Sequence, residues 1–348
     1  MKSTDKYKLI TKDLEEWIGD ESLKETLQTR DLSLYWGTAT TGKPHIGYLM
    51  PLLKIKDFLD ADCQVTILFA DLHAYLDALK STEEQLEYRV KYYIMLIKET
   101  LAALGIEKDV LDTRIRFVRG TEFQLSPEYT MDMYRLMSKT SLRDATKAGA
   151  EVVKQSKNPK MASLLYPGLQ VLDEEYLKVD CQFGGVDQRK IFMMADKYLP
   201  LLNYKKRIHL MNPMIKSFNE DSEDGKMSSS EINTKIDLMD SAKQIKKKIG
   251  KAFCPEKSID TGLFQFFSKV IYKIIKNRGG KIIFFRPQEY GGNIECEDYD
   301  DICKNILSGN IHPVDLKTFI SKFLIDLLEP VRILNENDEF IEAEKLGY

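Results

Sequence analysis

One stretch of the chain combines a lysine with three consecutive hydroxyl residues. Residues 225–230 read GKMSSS and lie in the acidic, polar segment 219–231, whose single large apolar residue is Met227. A lysine charge, the hydroxyls of Ser228 and Ser229 and nearby backbone donors could together hold a phosphate chain, with Lys226 as the cation. The alternative is a solvated surface loop or a kinase target. These six residues alone do not distinguish it from a phosphate-binding loop.

A second stretch, residues 37–48, reads GTATTGKPHIGY and has the spacing G-x-x-x-x-G-K of a P-loop. A P-loop then needs Ser or Thr to hold magnesium, whereas this chain has Pro44, which lacks both the hydroxyl and a backbone donor. A P-loop hydrolase is therefore disfavoured; mutation of Lys43 would abolish ATP hydrolysis if it were correct. The following residue, His45, places an imidazole at a predicted helix start, within reach of bound phosphates.

The rest of the sequence indicates a soluble folded protein. The 348 residues are 43% hydrophobic and 30% charged, with a net charge of -3. This length suits two domains, or one large domain with an appendage. No apolar run approaches the roughly 18 residues of a membrane span. The acid-rich N-terminus resembles neither a secretory signal nor a transit peptide. The five cysteines are dispersed without a CxxC pair, so we expect no structural zinc and a cytoplasmic location.

Apolar periodicity predicts alternating strands and helices through the first 211 residues. Two buried strands joined by one helix form a β-α-β unit, so the sheet should be parallel with helices on its faces. Residues 128–154 interrupt this pattern as a polar, Met-rich helical stretch, and amphipathic helices dominate after residue 230. Strands are expected at 31–39, 64–71, 114–118, 179–183 and 207–211, and helices at 45–59 (delayed or kinked by Pro51), 83–104, 168–178, 188–198 and 316–334.

The two chemical stretches together resemble a known pair of signatures. HIGY, residues 45–48, resembles the HIGH motif of class I aminoacyl-tRNA synthetases, and GKMSSS, about 180 residues later, resembles their KMSKS loop. Each match is weak alone, but this order around a split parallel sheet is a stronger signal. Both motifs depart from the general pattern, because Tyr48 replaces the second histidine and Ser229 replaces the second lysine.

Two further stretches narrow the resemblance. LLYPGLQVLDEEYLKVD (164–180) and FGGVDQRKIF (183–192) are similar to tyrosyl-tRNA synthetases of the eukaryotic and archaeal group, and the likeness extends from about residue 8 to about residue 333. By this resemblance Tyr35 and Asp173 would bind the phenol of tyrosine, and Tyr166, Gln170 and Gln188 its amino and carboxylate ends. The spacing of 166, 170 and 173 places these three residues on one helical face.

The resemblance implies a tyrosine–tRNA ligase: an α/β protein with a Rossmann-like parallel-sheet catalytic domain (1–232) and a C-terminal α-helical anticodon-binding domain (233–348). A helical insertion near 119–160 would split the first domain and form a homodimer interface. An exchange of helices through Tyr129, Met133, Leu136 and Met137 fits the sequence, although a Met-rich stripe is more often simple core. ATP would be a substrate with Mg²⁺, with no tightly bound cofactor, no protein metal site and no membrane partner. L-tyrosine and tRNA(Tyr) would be the other substrates.

The resemblance also assigns roles to individual residues. The catalytic set would be His45, Lys226, Ser228 and Ser229; the ATP-binding set Gly37, Thr40, His45, Gly47, Gly185, Asp187 and Met227; and the tRNA-binding set Arg189, Lys190, Tyr290 and Asp315.

Three alternatives stay open. A tryptophanyl-tRNA synthetase has the same fold and signatures, and a synthetase-like RNA-binding protein without catalysis would be expected to lose His45 or Lys226 first. Asp315 also has another interpretation, as the N-cap of a helix that begins at Leu316.

Overall fold

A twisted sheet forms the centre of the first 212 residues. The computed structural model describes residues 1–77, 81–152, 160–219 and 235–348. In this part of the chain the sheet has six strands in the order β1-β6-β5-β2-β3-β4, and the five strands β2 to β6 run parallel to one another. The strands are β1 (Glu16–Ile18), β2 (Ser33–Thr38), β3 (Gln64–Phe69), β4 (Ile115–Arg119), β5 (Cys181–Gly185) and β6 (Ile208–Asn212).

Helices cover the sheet and continue beyond it. They are α1 (Ser3–Thr11), α2 (Asp20–Thr29), α3 (Leu49–Asp60), α4 (Asp71–Leu76), α5 (Glu83–Ala103), α6 (Lys108–Arg114), α7 (Thr121–Gln124), α8 (Pro127–Lys139), α9 (Leu142–Gly149), α10 (Met161–Tyr176) and α11 (Arg189–Tyr198). The C-terminal part adds α12 (Ala242–Lys251), α13 (Gly262–Phe266), α14 (Tyr272–Asn277), α15 (Tyr299–Ser308), α16 (Pro313–Leu328) and α17 (Asp338–Gly347), with a small antiparallel pair, β7 (Ile282–Phe284) and β8 (Ile294–Cys296). None of the helices in the described ranges is long and apolar enough to cross a membrane.

The predicted α/β class is confirmed, with one addition at the sheet edge. Strand β1 pairs antiparallel with β6, and its three residues are too few for an alternating pattern to be recognised. Strand β2 lies between β3 and β5, so the chain leaves it in one direction for β3 and β4 and returns on its other side with β5 and β6. The crevice outside the carboxyl end of β2 is therefore the switch point at which such sheets bind ligands.

Prolines shift two helix boundaries in opposite ways. A 3₁₀ turn at Ile46–Tyr48 precedes α3, so Pro51 falls in the first turn, where its missing donor costs little. Helix α10, in contrast, begins seven residues before the predicted start, and Pro167 lies inside it. The next residue, Gly168, permits close helix packing, because a Cβ there would lie 2.8 Å from Met133 Cε and 2.6 Å from Met137 Cε of α8.

The insertion residues predicted to form an interface lie instead in the core of the chain. Tyr129, Met133 and Leu136 are buried together with side chains of α10 and α11, and Met137 packs against the same cluster. This burial favours the core interpretation of these side chains over the interface one, because the apolar stripe of α8 covers its own protomer. The outward side of the helix carries Met131 and Tyr134, which are 50% and 66% exposed.

The C-terminal part is mainly helical and shares a core with the sheet domain. One continuous hydrophobic cluster extends from Ile10 to Ala343 and includes side chains of both parts. Helix α16 begins at Pro313 with His312 as its N-cap, so Asp315 is the third helical residue and the partner of His312 in a capping box. The alternative prediction that Asp315 is the N-cap is wrong, since Pro313 starts the helix earlier.

Replacing Phe58 with alanine tests the packing of α3 on the sheet. Phe58 is fully buried, and its ring meets the Phe183 ring of β5 edge to face at 5.0 Å. We expect Phe58→Ala to lower the free energy of unfolding by about 3–5 kcal/mol, because it removes apolar contacts and leaves a cavity. Urea unfolding followed by tryptophan fluorescence measures the change. The control is Leu307→Ala, whose parent side chain is 48% exposed; equal effects of the two variants would contradict the assigned packing.

Candidate active site

A cavity of about 400 Å³ opens at the carboxyl ends of β2, β3 and β5. Its walls are formed by the loop that follows β2, the 3₁₀ turns before α3 and α11, one face of α10, and residues 214 and 215. The strand order thus brings together residues that are up to 180 positions apart in sequence, from Tyr35 to Ile215. Nine of the predicted site residues line it: Tyr35, Gly37, His45, Gly47, Tyr166, Gln170, Asp173, Asp187 and Gln188.

Other predicted residues lie near the cavity or away from it. Thr40 is fully buried behind the wall and its hydroxyl has no partner among the described residues. Gly185 ends β5, two residues before Asp187. Four predicted residues lie outside the described residues: Lys226, Met227, Ser228 and Ser229.

The residues predicted to bind tRNA lie outside the cavity wall. Arg189 and Lys190 open α11 and are 46% and 38% exposed in their side chains, with ion pairs to Glu16 and Glu151. Tyr290 is 67% exposed in the C-terminal part. Asp315 Oδ2 accepts hydrogen bonds from the His312 backbone N–H at 2.9 Å and from Arg286 at 3.4 Å.

Asp173 forms the polar end of the cavity. Its Oδ1 accepts hydrogen bonds from Gln124 Nε2 at 2.8 Å and from the Tyr129 hydroxyl at 2.9 Å. Its Oδ2 has no hydrogen-bond partner in the described structure, although the residue is fully buried. A buried polar atom without a partner is costly, so this oxygen is an acceptor available to a ligand.

Burial sets the charge state around Asp173. It raises the pKa of Asp173 to about 7, and the hydrogen bonds from Gln124 and Tyr129 oppose this shift. Burial lowers the pKa of His73 to about 4. His73 Nε2 lies 3.9 Å from Asp173 Oδ2, but a neutral imidazole at neutral pH makes this a polar contact and not an ion pair.

The walls next to Asp173 carry further hydrogen-bonding groups. The Tyr35 hydroxyl, which is buried, donates to the Gln170 carbonyl at 3.3 Å. Burial, with the nearby Asp173 carboxyl, raises the pKa of Tyr35, so its phenol stays neutral. Gln170 Nε2 donates to Gln188 Oε1 at 2.8 Å. This linked amide pair leaves further donor and acceptor positions of both side chains for a small polar ligand.

His45 caps the 3₁₀ turn at the opposite end of the cavity. Its Nδ1 accepts the Gly47 backbone N–H at 3.2 Å, which assigns the ring proton to Nε2. Burial, with a smaller effect of Lys235, lowers the pKa of His45 to about 4. At neutral pH His45 therefore presents an N–H donor without a positive charge.

The tyrosine that replaces the second histidine of the motif has defined partners. The hydroxyls of Tyr48 and Thr38 are 2.8 Å apart. The ring of Tyr48 contacts the ring of His45 edge to face at 5.5 Å. Tyr48 thus supports the position of His45.

Among the polar residues that the sequence analysis missed are two in the cavity wall and one that supports Asp173. Gln124 supports Asp173, whereas His73 and Gln182 line the wall with side-chain atoms that lack partners among the described residues. The signal for His73 was present, because it lies just beyond the carboxyl end of β3. Nothing in the sequence around Gln124 indicated its role, because α7 and α10 are distant in sequence and come into contact only in the folded chain.

Comparison with known proteins agrees with this geometry. The model of the family described as tRNA synthetases class I (W and Y) matches residues 27–329. The chain is 50% identical over 333 residues to the probable cytoplasmic tyrosine–tRNA ligase of Encephalitozoon cuniculi, covering 96% of each protein. It is 49% identical over 345 residues to the cytoplasmic tyrosine–tRNA ligase of Danio rerio, covering 99% of this chain and 63% of that protein.

A solved structure is also similar. The tyrosyl-tRNA synthetase of Archaeoglobus fulgidus in complex with L-tyrosine has a TM-score of 0.83 and 33% identity, over 95% of this chain and 99% of that one. The chain spans 60% to 63% of the length of the vertebrate relatives it matches. From the family match and these similarities, the chain belongs to the class I tRNA synthetases for tryptophan and tyrosine, and within them to the tyrosine–tRNA ligase family.

Proposed function

We propose that this chain activates L-tyrosine with ATP and transfers the tyrosyl group to tRNA(Tyr). In the first step a carboxylate oxygen of tyrosine attacks the α-phosphorus of ATP, which gives tyrosyl-adenylate and releases pyrophosphate. In the second step a ribose hydroxyl at the 3′ end of the tRNA attacks the tyrosyl carbonyl and AMP leaves. The relatives in Danio rerio and Encephalitozoon cuniculi are named tyrosine–tRNA ligases, and the similar solved structure is named a tyrosyl-tRNA synthetase.

The observation that carries the proposal is the unpartnered oxygen of Asp173 at the closed end of the cavity. A phenol hydroxyl that donates to Oδ2 would satisfy this atom without adding a second buried charge. The buried imidazole of His73 and the hydroxyl of Tyr35 belong to the same cavity and can bind the phenol oxygen as well.

The same atom explains a preference for tyrosine over phenylalanine. Phenylalanine would bury the Asp173 oxygen against a ring edge and leave it unsatisfied, whereas tyrosine supplies the missing donor. Tyrosine-activating enzymes are themselves the standard example of such discrimination by one hydroxyl. The Gln170–Gln188 pair and Tyr166 would hold the amino and carboxylate ends of the substrate near the mouth of the cavity.

ATP would bind at the His45 end of the cavity. Gly37, Thr40, Gly47, Gly185, Asp187 and Met227 would form the nucleotide site, with Asp187 accepting a ribose hydroxyl. His45 would donate its Nε2–H to a phosphate oxygen, and Lys226 would supply positive charge with the hydroxyls of Ser228 and Ser229. Catalysis would consist of positioning and electrostatic stabilisation of the charge that develops on the phosphates, without an enzyme nucleophile.

Mg²⁺ would enter bound to ATP. This ion keeps several waters and usually binds through substrate phosphates with one or two carboxylates, so a dedicated protein cage is not required. Its contribution would be to neutralise charge on the pyrophosphate leaving group. Within the described ranges, no three His, Cys, Asp or Glu side chains are grouped so that they could hold a metal.

We further propose that two separate surfaces bind tRNA. Arg189 and Lys190, which follow the cavity residue Gln188 in sequence, would contact the acceptor stem. Residues 233–348 would form the anticodon-binding domain, with Tyr290 stacking on an unpaired base and Asp315 accepting from a base edge. The division at residues 232 and 233 separates this domain from the catalytic one. We propose a cytoplasmic location, in line with the names of the relatives.

We also propose a homodimer that uses the outer side of the insertion. Several large apolar side chains are exposed on this segment, and exposed apolar patches mark interaction surfaces. A symmetric dimer would place the same patch of two chains face to face. The exposed side chains are Leu125, Met131, Tyr134 and Leu142.

Amino-acid-dependent ATP–pyrophosphate exchange tests the function. We expect exchange with tyrosine and not with phenylalanine or tryptophan. Asp173→Asn should lower kcat/KM for tyrosine by about 100-fold, because an amide N–H replaces the acceptor oxygen, and Lys226→Ala should abolish exchange. The exposed control Asp112→Ala should leave exchange unchanged. Exchange with tryptophan alone would indicate the tryptophanyl enzyme, and none with any amino acid would indicate a non-catalytic RNA-binding protein.

The same Asp173→Asn substitution should stabilise the free protein. The pKa of Asp173 rises from 3.8 to about 7 on folding, so unfolding of the parent becomes easier as the pH rises from 4 to 7 and no further above 7. The asparagine does not titrate and keeps an acceptor for Gln124 and Tyr129. We expect the free energy of unfolding of Asp173→Asn, relative to that of the parent, to increase by about 2 kcal/mol between pH 5 and pH 7 and then to level off. Urea unfolding at pH 5, 6, 7 and 8 measures it, and a pH-independent difference would contradict the burial argument.

Charged substitutions on the insertion test the dimer. We expect the double variant Met131→Glu, Tyr134→Glu to sediment as a monomer, because like charges would face each other across the symmetry axis. Analytical ultracentrifugation of parent and variant measures the state. The control Leu307→Glu lies on α15, and its parent side chain is also exposed. A dimer that survives the double variant, or is lost equally in the control, would contradict the proposed surface.

A further inference from the structure

The loop that leads from β2 to His45 is held by its backbone carbonyls. Four consecutive carbonyl oxygens, those of residues 41–44, accept hydrogen bonds from four different groups. The donors are Arg89 Nη1 to Thr41 at 2.7 Å, the Tyr93 hydroxyl to Gly42, Lys235 Nζ to Lys43 at 3.3 Å and the Leu238 backbone N–H to Pro44 at 3.1 Å. Thr41 lines the cavity, so the contacts outside the loop determine the shape of its inner surface.

Arg89 connects this loop to the last helix. It lies on α5 and is 9% exposed. Besides Thr41, its guanidinium donates through Nε to the carbonyl of Gly347 in α17 at 2.7 Å and through Nη1 to the hydroxyl of Ser81. One planar group with fixed donor directions thus ties together three segments that are distant in sequence.

A second contact joins the same two segments. Lys43 Nζ forms an ion pair with Glu344 of α17 at 2.6 Å, with both side chains about one-third exposed. The ring of Tyr348 lies next to both cations, 4.8 Å from Arg89 Cζ and 5.4 Å from Lys43 Nζ. The C-terminal helix therefore contacts the loop through one buried and one partly exposed cation.

The chemistry of the Arg89 contacts differs from that of an ordinary structural ion pair. Its hydrogen-bonded oxygens are two carbonyls and a hydroxyl, which are all neutral. A buried charge is costly unless it is fully hydrogen-bonded, so each of these acceptors matters for its position. The guanidinium keeps its positive charge directly behind a loop that would receive a polyphosphate.

We propose that Arg89 is a positioning residue for the nucleotide, and that α17 is a structural part of the nucleotide-binding site although it belongs to the C-terminal part. This inference rests on the proposed activation of tyrosine with ATP. Loosening the Arg89 contacts would let the 41–44 loop take several conformations, and ATP would have to select one of them. Tyrosine binds at the other end of the cavity and would not be affected.

The test is ATP–pyrophosphate exchange by Arg89→Lys. Lysine keeps the charge but cannot bond Thr41, Ser81 and Gly347 with the same fork. We expect the KM for ATP to rise about 5- to 20-fold, as for loss of one or two hydrogen bonds to a charged group, with the KM for tyrosine within twofold of the parent. The matched control is Arg278→Lys: Arg278 also donates to a carbonyl of α5, that of Ala103 at 2.7 Å, away from the loop. Its KM for ATP should not change.

A second variant leaves Arg89 in place. A Cβ at Gly347 would lie 3.1 Å from Arg89 Cγ and 3.2 Å from the Arg89 backbone nitrogen, so Gly347→Ala must shift Arg89 and the end of α17 apart by a few tenths of an ångström. We expect the same selective rise of the KM for ATP, at least about twofold. An unchanged KM for ATP in both variants, or equal rises for ATP and tyrosine, would overturn the inference while leaving the proposed function intact. Absence of exchange in the parent would instead overturn the proposed function.

Discussion

The cavity depends on a carboxyl group that the fold keeps away from water. Asp173 is fully buried and has two donors on one oxygen and none among the described residues on the other. Stabilising such a group requires that its supporting donors be held rigidly, and these come from α7 and α8 of the insertion. The insertion therefore has a structural role at the cavity that is separate from any contact it makes with a second chain.

The close approach of α8 and α10 follows from this requirement. Gly168 lets the methionines of α8 lie against the backbone of α10, which brings the Tyr129 hydroxyl to Asp173 and to the carbonyl of Leu169. The unpaired Asp173 oxygen destabilises the free protein. The same atom makes the site selective, because a ligand with a hydroxyl at this position supplies the missing hydrogen bond. Stability and specificity are thus opposed at one atom.

The nucleotide end of the cavity is organised differently. There the backbone is held from outside, by side chains of α5 and by residues 235–238, which pair with His45 and its neighbours. His45 is neutral and contributes a directed donor, and positive charge would have to come from other residues. Because α5 is packed against α17, the C-terminal part belongs mechanically to the same unit as the nucleotide loop.

Part of this organisation was available from the sequence. The apolar runs of β2 and β3 determined the parallel sheet, the order of strands and helices placed residues 37–48 at the carboxyl edge, and the helical spacing of Tyr166, Gln170 and Asp173 placed them on one face. Each of these follows from local periodicity, which the chain carries in every segment. The early start of α10 was missed because Pro167 and Gly168, which usually break helices, both lie inside this one.

The remaining features were decided by tertiary contacts. No local pattern distinguishes a methionine stripe that forms an interface from one that forms a core, and α8 buried its stripe within its own chain. Gln124, Arg89 and Gly347 act through partners 49, 48 and 258 residues away, so their roles exist only once the chain has folded. The sequence by itself determined which elements form and which residues could do chemistry. The tertiary structure alone decided which polar atoms are buried without a hydrogen-bond partner. Burial depends on every neighbouring element at once, whereas periodicity depends only on the local sequence.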